Sequence, residues 1–438
     1  MKVLIVGSGG REHALAWRIS QSQDLTSLWV ADGNAGTSEI ATNIAVKPDD
    51  VEGILASARS LAVDLVVVGP EIPLSLGLVD ALNRLGIPAF GPTKAAAQIE
   101  ASKSFALEIM KDAGVPCPDF QVFREQRDAL AFLEKHSGPL VVKADGLAAG
   151  KGVSLCQTAE ESAAAVRACM TAEAFGDAGK TVVLEEMLTG PEVSVFAFCD
   201  GTHIAELATA CDYKRLEDGN RGPNTGGMGS FAPADLWDPQ LAEEVNRTIM
   251  FPVVKAMADR GAPYKGLLYA GIMLTPDGPK VLEFNCRFGD PESQVVLPLL
   301  ESDPLRVMMA CHDGSLSETP VEWSGKHHAG VVMVSGGYPA SYQTGFEIFG
   351  LGGETEDTFV FHAGTASDQA HGVSRVVTHG GRVLTVVGSG DSLAQARSRA
   401  YDRVRQISFQ GAFYRTDIAG LETGDRVWSP GPAAAGRE

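Results

Sequence analysis

The segment Lys280-Val281-Leu282-Glu283-Phe284-Asn285-Cys286-Arg287, if extended, sends alternate side chains to opposite faces. Leu282, Phe284 and Cys286 share one face; Glu283, Asn285 and Arg287 share the other. An apolar opposite face makes a surface strand with scattered charges the weaker reading. A carboxylate and an amide oxygen side by side suit a divalent cation bridging nucleotide phosphates. Arg287 can fork onto a carboxylate or phosphoryl oxygen. Phe288-Gly289-Asp290-Pro291-Glu292 then turns the chain beside them.

Other segments offer matching chemistry. Lys143-Ala144-Asp145-Gly146-Leu147-Ala148-Ala149-Gly150-Lys151-Gly152 has three residues between its first two glycines and no Ser or Thr after Lys151. A Walker A loop needs about four and a hydroxyl, so this is no P-loop. A strand lysine before a glycine loop with a second lysine still suits a cover over a polyphosphate. Glu185-Glu186-Met187-Leu188 ends a strand whose backbone could face an adenine edge, and Glu192 and Ser194 share a face of the next. Asp212-Tyr213-Lys214-Arg215 precedes Gly222-Pro223-Asn224-Thr225-Gly226-Gly227-Met228-Gly229, a loop open to close approach by a ligand.

The first loop, Gly7-Ser8-Gly9-Gly10-Arg11-Glu12-His13, has Glu12 where the dinucleotide fingerprint requires Gly or Ala. Asp32 does stand where a ribose-binding acid would be. The amides of Gly9 and Gly10 at a helix N-terminus offer a phosphate site; a tight turn without a ligand is the alternative. His327-His328 reads as a surface pair, no histidines have metal-ligand spacing, and no G-x-S-x-G suggests a serine hydrolase.

The elements that must hold these residues follow from periodicity. Strands at Val3–Val6, Leu28–Ala31, Leu65–Val68 and Ala89–Phe90 alternate with helical stretches Arg11–Ile19 and Leu74–Leu85, which implies a parallel, doubly wound sheet. A helical pattern over Lys94–Ala113 ends at Gly114 and Pro116. Residues 116–190 form a compact unit with strands Leu140–Lys143 and Thr181–Glu186 and a helix Thr158–Met170. Antiparallel-type strands follow at Glu192–Cys199, Leu268–Leu274 and Lys280–Asn285. Beyond about 325, short strands (Gly330–Ser335, Thr358–His362, Val383–Val387) and a helix Ser392–Ile407 suggest a separate α+β cap.

The chain has 438 residues, 45% of them apolar, and a formal net charge of -19. That length suggests about three domains. The acidity argues against nucleic acid, whose phosphates select basic faces. Nothing approaches the roughly 18 consecutive apolar residues of a membrane span. Met1–Gly7 reads as a strand rather than a signal peptide. Seven scattered cysteines without C-x-x-C spacing lead us to expect reduced thiols in a cytoplasmic protein.

Taken in order, Gly7–His13, Gly33-Asn34-Ala35-Gly36, Gly69-Pro70-Glu71, Lys143–Gly152, Gly222–Gly229 and Glu283–Glu292 resemble the phosphoribosylamine–glycine ligases, ATP-grasp enzymes of purine biosynthesis. The resemblance covers residues 1 to about 420. It implies a pre-grasp substrate domain (1–101), an ATP-grasp domain (102–325) with a mobile lid near 118–190, a C-terminal cap (326–425), and a disordered tail (426–438). It implies ATP and Mg²⁺ or Mn²⁺, with glycine and 5-phosphoribosylamine as the other substrates. ATP would meet Lys103, Lys143, Gly152, Glu185, Glu186, Leu188 and Glu192, and Glu283 and Asn285 would hold the metal. Gly9, Gly10, Asn34, Gly69, Pro70, Glu71 and Gly226 would hold the phosphoribosylamine. Asp212, Lys214, Arg287 and Asp290 would surround glycine and the transferred phosphoryl group.

Two positions depart from the family's pattern. Pro is usual where Asp32 stands, and Gln-Asp-His-Lys-Arg is usual where this chain has Cys211-Asp212-Tyr213-Lys214-Arg215. No carboxylate on Leu267–Ile272 supplements the metal pair. Another ATP-grasp ligase, an NAD-dependent dehydrogenase and a non-catalytic nucleotide-binding scaffold are the competing readings. Glu12 disfavours the dehydrogenase, the Glu283/Asn285/Arg287 face disfavours the scaffold, and the Asn34 and Gly69–Glu71 loops favour phosphoribosylamine over another amine.

Overall fold

A computed structural model describes residues 1–147, 152–171, 176–353, 355–369 and 375–420. The expected tail at 426–438 and most of the glycine loop at 148–151 lie outside the described residues.

The N-terminal strands β1 (Lys2–Gly7), β2 (Ser27–Asp32), β3 (Thr42–Ile44), β4 (Leu65–Val68) and β5 (Ala89–Phe90) form a parallel sheet in the order β3-β2-β1-β4-β5. Val3, Leu4, Ile5 and Val6 are all fully buried, as a parallel strand covered on both faces requires. The strand order reverses beside β1, so the loops after β1, β2 and β4 converge where such sheets bind ligands.

Two expected helices are broken. Leu74–Leu85 becomes helices Glu71–Leu76 and Leu78–Arg84, because Gly77 takes φ +90°. Lys94–Ala113 becomes Gln98–Ala101 and Lys103–Ala113. Ser102 between them is extended, and its hydroxyl accepts from the Phe105 amide as an N-cap.

A small antiparallel sheet follows, β6 (Phe120–Phe123), β7 (Leu140–Ala144), β8 (Val153–Cys156) and β9 (Val182–Glu186), in the order β6-β9-β7-β8. It has its own core of Leu140, Val142, Leu184 and Val166, the last from the helix Ala159–Cys169. Next come β10 (Glu192–Asp200), β11 (Ala208–Asp212), the hairpin β12 (Arg215–Glu217) and β13 (Arg221–Asn224), and β14 (Gly229–Ala232). They lead to β15 (Lys265–Thr275), β16 (Gly278–Asn285), β17 (His327–Val334) and β18 (Thr358–His362). The last are the hairpin β19 (Thr365–Asp368) and β20 (Arg375–Thr378), then β21 (Arg382–Gly390).

Eight of these strands make one sheet, β16-β15-β10-β11-β14-β17-β21-β18. The C-terminal unit is α+β, yet its strands continue the preceding sheet through β14 and β17, with Ser230 opposite Gly330. Phe196 and Phe198 on β10 are fully buried, worth about 1.5–3 kcal/mol each. His328 is no surface residue: it is 2% exposed, with Nδ1 3.0 Å from the Val295 carbonyl.

Candidate functional site

The first group of side chains gathers where the small sheet meets β16. The Lys143 ammonium lies 2.6 Å from the Glu185 carboxylate and donates to the Leu282 carbonyl at 3.0 Å. Lys103, at the start of its helix, donates to the carbonyls of Ala144 and Gly146 at 3.0 and 2.9 Å. Burial pulls its ammonium below the usual lysine range, against the nearby Glu283. Gly152 closes the glycine loop by accepting the Ala144 amide at 2.8 Å. Glu186 is more exposed; its amide donates to Asp119 and its carboxylate faces Lys280 at 3.4 Å. Leu188 is buried just beyond β9.

On β16, the Glu283 carboxylate accepts no hydrogen bond among the described residues. Burial would raise its pKa, but Lys214, Lys143, Lys103 and Arg287 together hold it below the ordinary carboxylate value. The Asn285 oxygen accepts from Arg287 at 3.2 Å, which leaves it one lone pair. No cluster of three or more His, Cys, Asp or Glu side chains able to hold a metal occurs among the described residues. An uncommitted carboxylate ringed by cations, beside an amide oxygen, fits a cation whose remaining ligands are phosphate and water. Lys214 pairs with Glu192. Burial, opposed by Lys214 and reinforced by Glu292, Glu192 and Glu283, pushes the Asp212 carboxyl up to about 8.

Tyr213, between those two residues, is 2% exposed. The Arg415 guanidinium lies 4.9 Å from its ring centroid, and its hydroxyl accepts the Ala419 amide at 3.0 Å. The C-terminal segment therefore seats this loop despite the departure from the family's usual residue.

The second group lies at the N-terminal loops. The Glu12 carboxylate accepts the Gly9 amide at 2.6 Å and pairs with Arg11 at 2.6 Å. A Cβ on Gly69 would come within 2.1 Å of Glu12, so only glycine admits that side chain. The Gly9 amide expected to bind phosphate is thus already taken, and a carboxylate fills the space a pyrophosphate would need. Gly10 approaches Gln294, whose Nε2 would be 2.5 Å from a Cβ there. Asn34 donates to the carbonyls of Ser8 and His362, both at 2.9 Å, and its oxygen accepts the Thr37 amide. It ties the loops rather than presenting a free donor. Asp32 has φ +72°, which proline cannot adopt. Pro70 caps the helix that Glu71 begins.

Arg287 joins the two groups. It lies 3.3 Å from Glu71 and 2.8 Å from Glu100, and these carboxylates outweigh burial to raise its pKa. A cavity of about 690 Å³ is lined by Ser8, Gly9, Asn34, Asp290, Thr365 and Arg382, among others. Gly226, beyond the glycine-rich loop's midpoint, donates its amide to Tyr338 at 2.9 Å and accepts from Arg382.

Sequence reasoning missed Glu100, Arg382 and Tyr338, which belong to no motif and reach partners 92 to 187 residues away. Arg11 and Glu292 lay inside quoted motifs, and a charged residue within a glycine-containing turn was the available signal. Glu292 is buried and accepts from Tyr269 at 2.9 Å.

Known proteins show where this geometry belongs. Family descriptions for phosphoribosylglycinamide synthetase match in three parts: the N domain over residues 1–100, the ATP-grasp (A) domain over 101–293 and the C domain over 328–420. The chain is 48% identical over 436 residues to a phosphoribosylamine–glycine ligase of Rhodopirellula baltica, covering 97% of this chain and 99% of that one. It is 46% identical over 424 residues to one from Salmonella typhi, covering 95% and 98%. The crystal structure of the Thermotoga maritima phosphoribosylamine–glycine ligase superposes with a TM-score of 0.82 at 33% identity, covering 95% of this chain and all of that one. A Campylobacter jejuni biotin carboxylase shares the fold, with a TM-score of 0.72 at 15% identity, covering 97% and 94%. No helix among the described residues is long and apolar enough to cross a membrane. With all three domains matched in order and the fold shared with the ligase from Thermotoga maritima, the chain belongs to the phosphoribosylglycinamide synthetase family.

Proposed function

We propose that the chain ligates glycine to 5-phospho-D-ribosylamine with ATP, giving glycinamide ribonucleotide, ADP and phosphate in purine biosynthesis. The carrying observation is that one segment, 283–290, joins a lysine-ringed carboxylate, Glu283, to the Asp290 wall of a 690 Å³ cavity.

In this reading ATP phosphates displace the internal partners of Lys103 and Lys143, Glu185 and the 186–188 backbone face adenine, Glu192 faces the ribose, and Gly152 bounds the phosphate loop. Glu283 and the remaining lone pair of Asn285 would hold Mg²⁺ or Mn²⁺, which supplies Lewis-acid charge at the phosphate oxygens. Glycine's carboxylate is a poor electrophile. An oxygen of it takes the γ-phosphoryl group, with ADP leaving, and Lys214 and Arg287 offset the negative charge near the reacting oxygens. Asp212 bounds the glycine and orients it, while Asp290 faces the loops that hold the amine. The phosphoribosylamine nitrogen then attacks the acyl carbon. A C–N bond forms, the C–O bond to phosphate breaks with its electron pair on phosphate, and the amine's proton is released. The loops of Gly9, Gly10, Asn34, Gly69, Pro70, Glu71 and Gly226 place that amine. No disulfide joins any of the seven cysteines, which supports a cytoplasmic setting.

ADP release measured with glycine and freshly made phosphoribosylamine, each omitted in turn, tests the reading. Dependence on both, with amide formed, is expected; ADP formation indifferent to either, or no amide, would sink it.

A further inference from the structure

The Asp290 carboxylate is fixed from two sides. Gln294 Nε2 donates to Oδ1 at 2.8 Å, and Arg382 Nη2 lies 3.3 Å from Oδ2. The same guanidinium donates through Nη1 to the Asp290 carbonyl at 2.7 Å and to the Gly226 carbonyl. One side chain from the first residue of β21 thus joins the C-terminal unit, the glycine-rich loop and the turn after β16. Neighbouring glycines make that approach possible. A Cβ on Gly226 would meet Arg382 Cζ at 3.2 Å, and one on Gly227 would meet Pro291 at 2.3 Å.

The fixed carboxylate faces the N-terminal loops. Asp290 Oδ2 would be 3.4 Å from a Cβ on Gly9, and Asp290, Gly9 and Arg382 all line the same cavity. Arg382 and Arg11 outweigh burial and keep the carboxyl ionised, so it offers an acceptor rather than a proton. A sugar phosphate bearing a primary amine, placed on the Gly9 and Asn34 loops, brings N–H donors to that acceptor.

The geometry points to Arg382 as a positioning residue for the phosphoribosylamine: it acts through Asp290 and the Gly226 loop, orienting the carboxylate that receives the amine. This rests on the ligase reading above and extends the amine site to the C-terminal unit. Without the guanidinium, Asp290 can turn toward solvent and the Gly226 loop loses its tie across the cavity. The proposed ATP contacts, on the helix of Lys103 and on β7, β9, β10 and β16, are untouched.

Steady-state kinetics of the full chain, with each substrate varied separately, test it. Arg382→Ala should raise the KM for phosphoribosylamine at least about 10-fold, with the KM values for ATP and glycine within about 2-fold. Arg382→Lys, which keeps the charge but not the fork, should recover part of that loss. Asp290→Asn should weaken the same substrate, and adding Arg382→Ala to it should cost far less than the separate effects multiplied, as coupled residues do. Arg375→Ala, which removes an exposed ion pair with Asp368 in the same unit, should leave all three constants unchanged. An unaltered phosphoribosylamine KM in Arg382→Ala, equal losses for all three substrates, or fully multiplicative losses in the double variant would overturn the proposal. Wild-type protein that forms no amide would instead overturn the ligase reading.

Discussion

Lys143 and Glu185 neutralise each other inside the small sheet, ammonium to carboxylate at 2.6 Å, with both side chains buried. The register explains the meeting: Lys143 lies opposite Val183 and Val141 opposite Glu185, so the pair is diagonal on one face of β7 and β9. The Lys143 ammonium also reaches the Leu282 carbonyl, one residue before Glu283. The pair is therefore both a structural tie and a charge source at the proposed ATP site.

Removing Lys143 alone leaves a buried carboxylate without its partner. Lys143→Met should lower unfolding free energy by about 3–5 kcal/mol, whereas Lys143→Met with Glu185→Gln should recover much of it. Urea titrations of both variants check this. Equal stability of the single variant and wild type would mean that the pair contributes nothing to the fold.

Glu283 has no hydrogen bond among the described residues to lose, so its replacement should spare the fold. Glu283→Gln should cut kcat by about 10²–10³-fold, the scale of one lost electrostatic contact in a transition state. Its urea midpoint and circular dichroism should match wild type. Full turnover would remove Glu283 from the metal assignment.

Gly69→Ala would force a methyl to within 2.1 Å of the Glu12 carboxylate. Overpacking of this kind costs about 1–3 kcal/mol. Glu12 should shift from the Gly9 amide, and the KM for phosphoribosylamine should rise while that for ATP holds. A rise in the ATP constant alone would place the effect at the other group.

Acid should loosen the junction between the N-terminal and C-terminal units. His13 is held down to about 3 by burial and then by His362, and burial holds His362 to about 4. The unfolded chain takes up protons near pH 6.5 while the folded one stays neutral, so stability is full above 6.5 and falls as pH drops toward 4. Each histidine contributes a slope of about 1.4 kcal/mol per pH unit across that window. Urea unfolding of wild type and His13→Gln at pH 7 and pH 5 tests it: the variant should lose less stability on acidification. Identical losses would rule His13 out of the linkage.

Much of the architecture follows from local pattern. The β-branched runs at Val3–Val6 and Leu65–Val68 announce buried parallel strands, and Gly114 with Pro116 announces the end of the helix Lys103–Ala113. Glycine spacing marks the loops after β1 and β16, and alternation puts Glu283 and Asn285 on one face. The breaks at Gly77 and Ser102 were harder, because the apolar stripe continues through both and periodicity does not register a left-handed glycine or a capping hydroxyl.

In a chain of net charge -19, phosphates must be attracted by cations gathered locally. Residue types alone established that lysines, a metal-suited carboxylate and glycine loops exist in this order. Which of them are already spent is a matter of three dimensions. Glu12 occupies the Gly9 amide, Arg287 is divided between Glu71 and Glu100, and Arg382 reaches Asp290 from 92 residues away. Local sequence encodes backbone preference and alternation, whereas charge pairing depends on distance in space, and packing the C-terminal strands onto β14 is what brings Arg382 to Asp290.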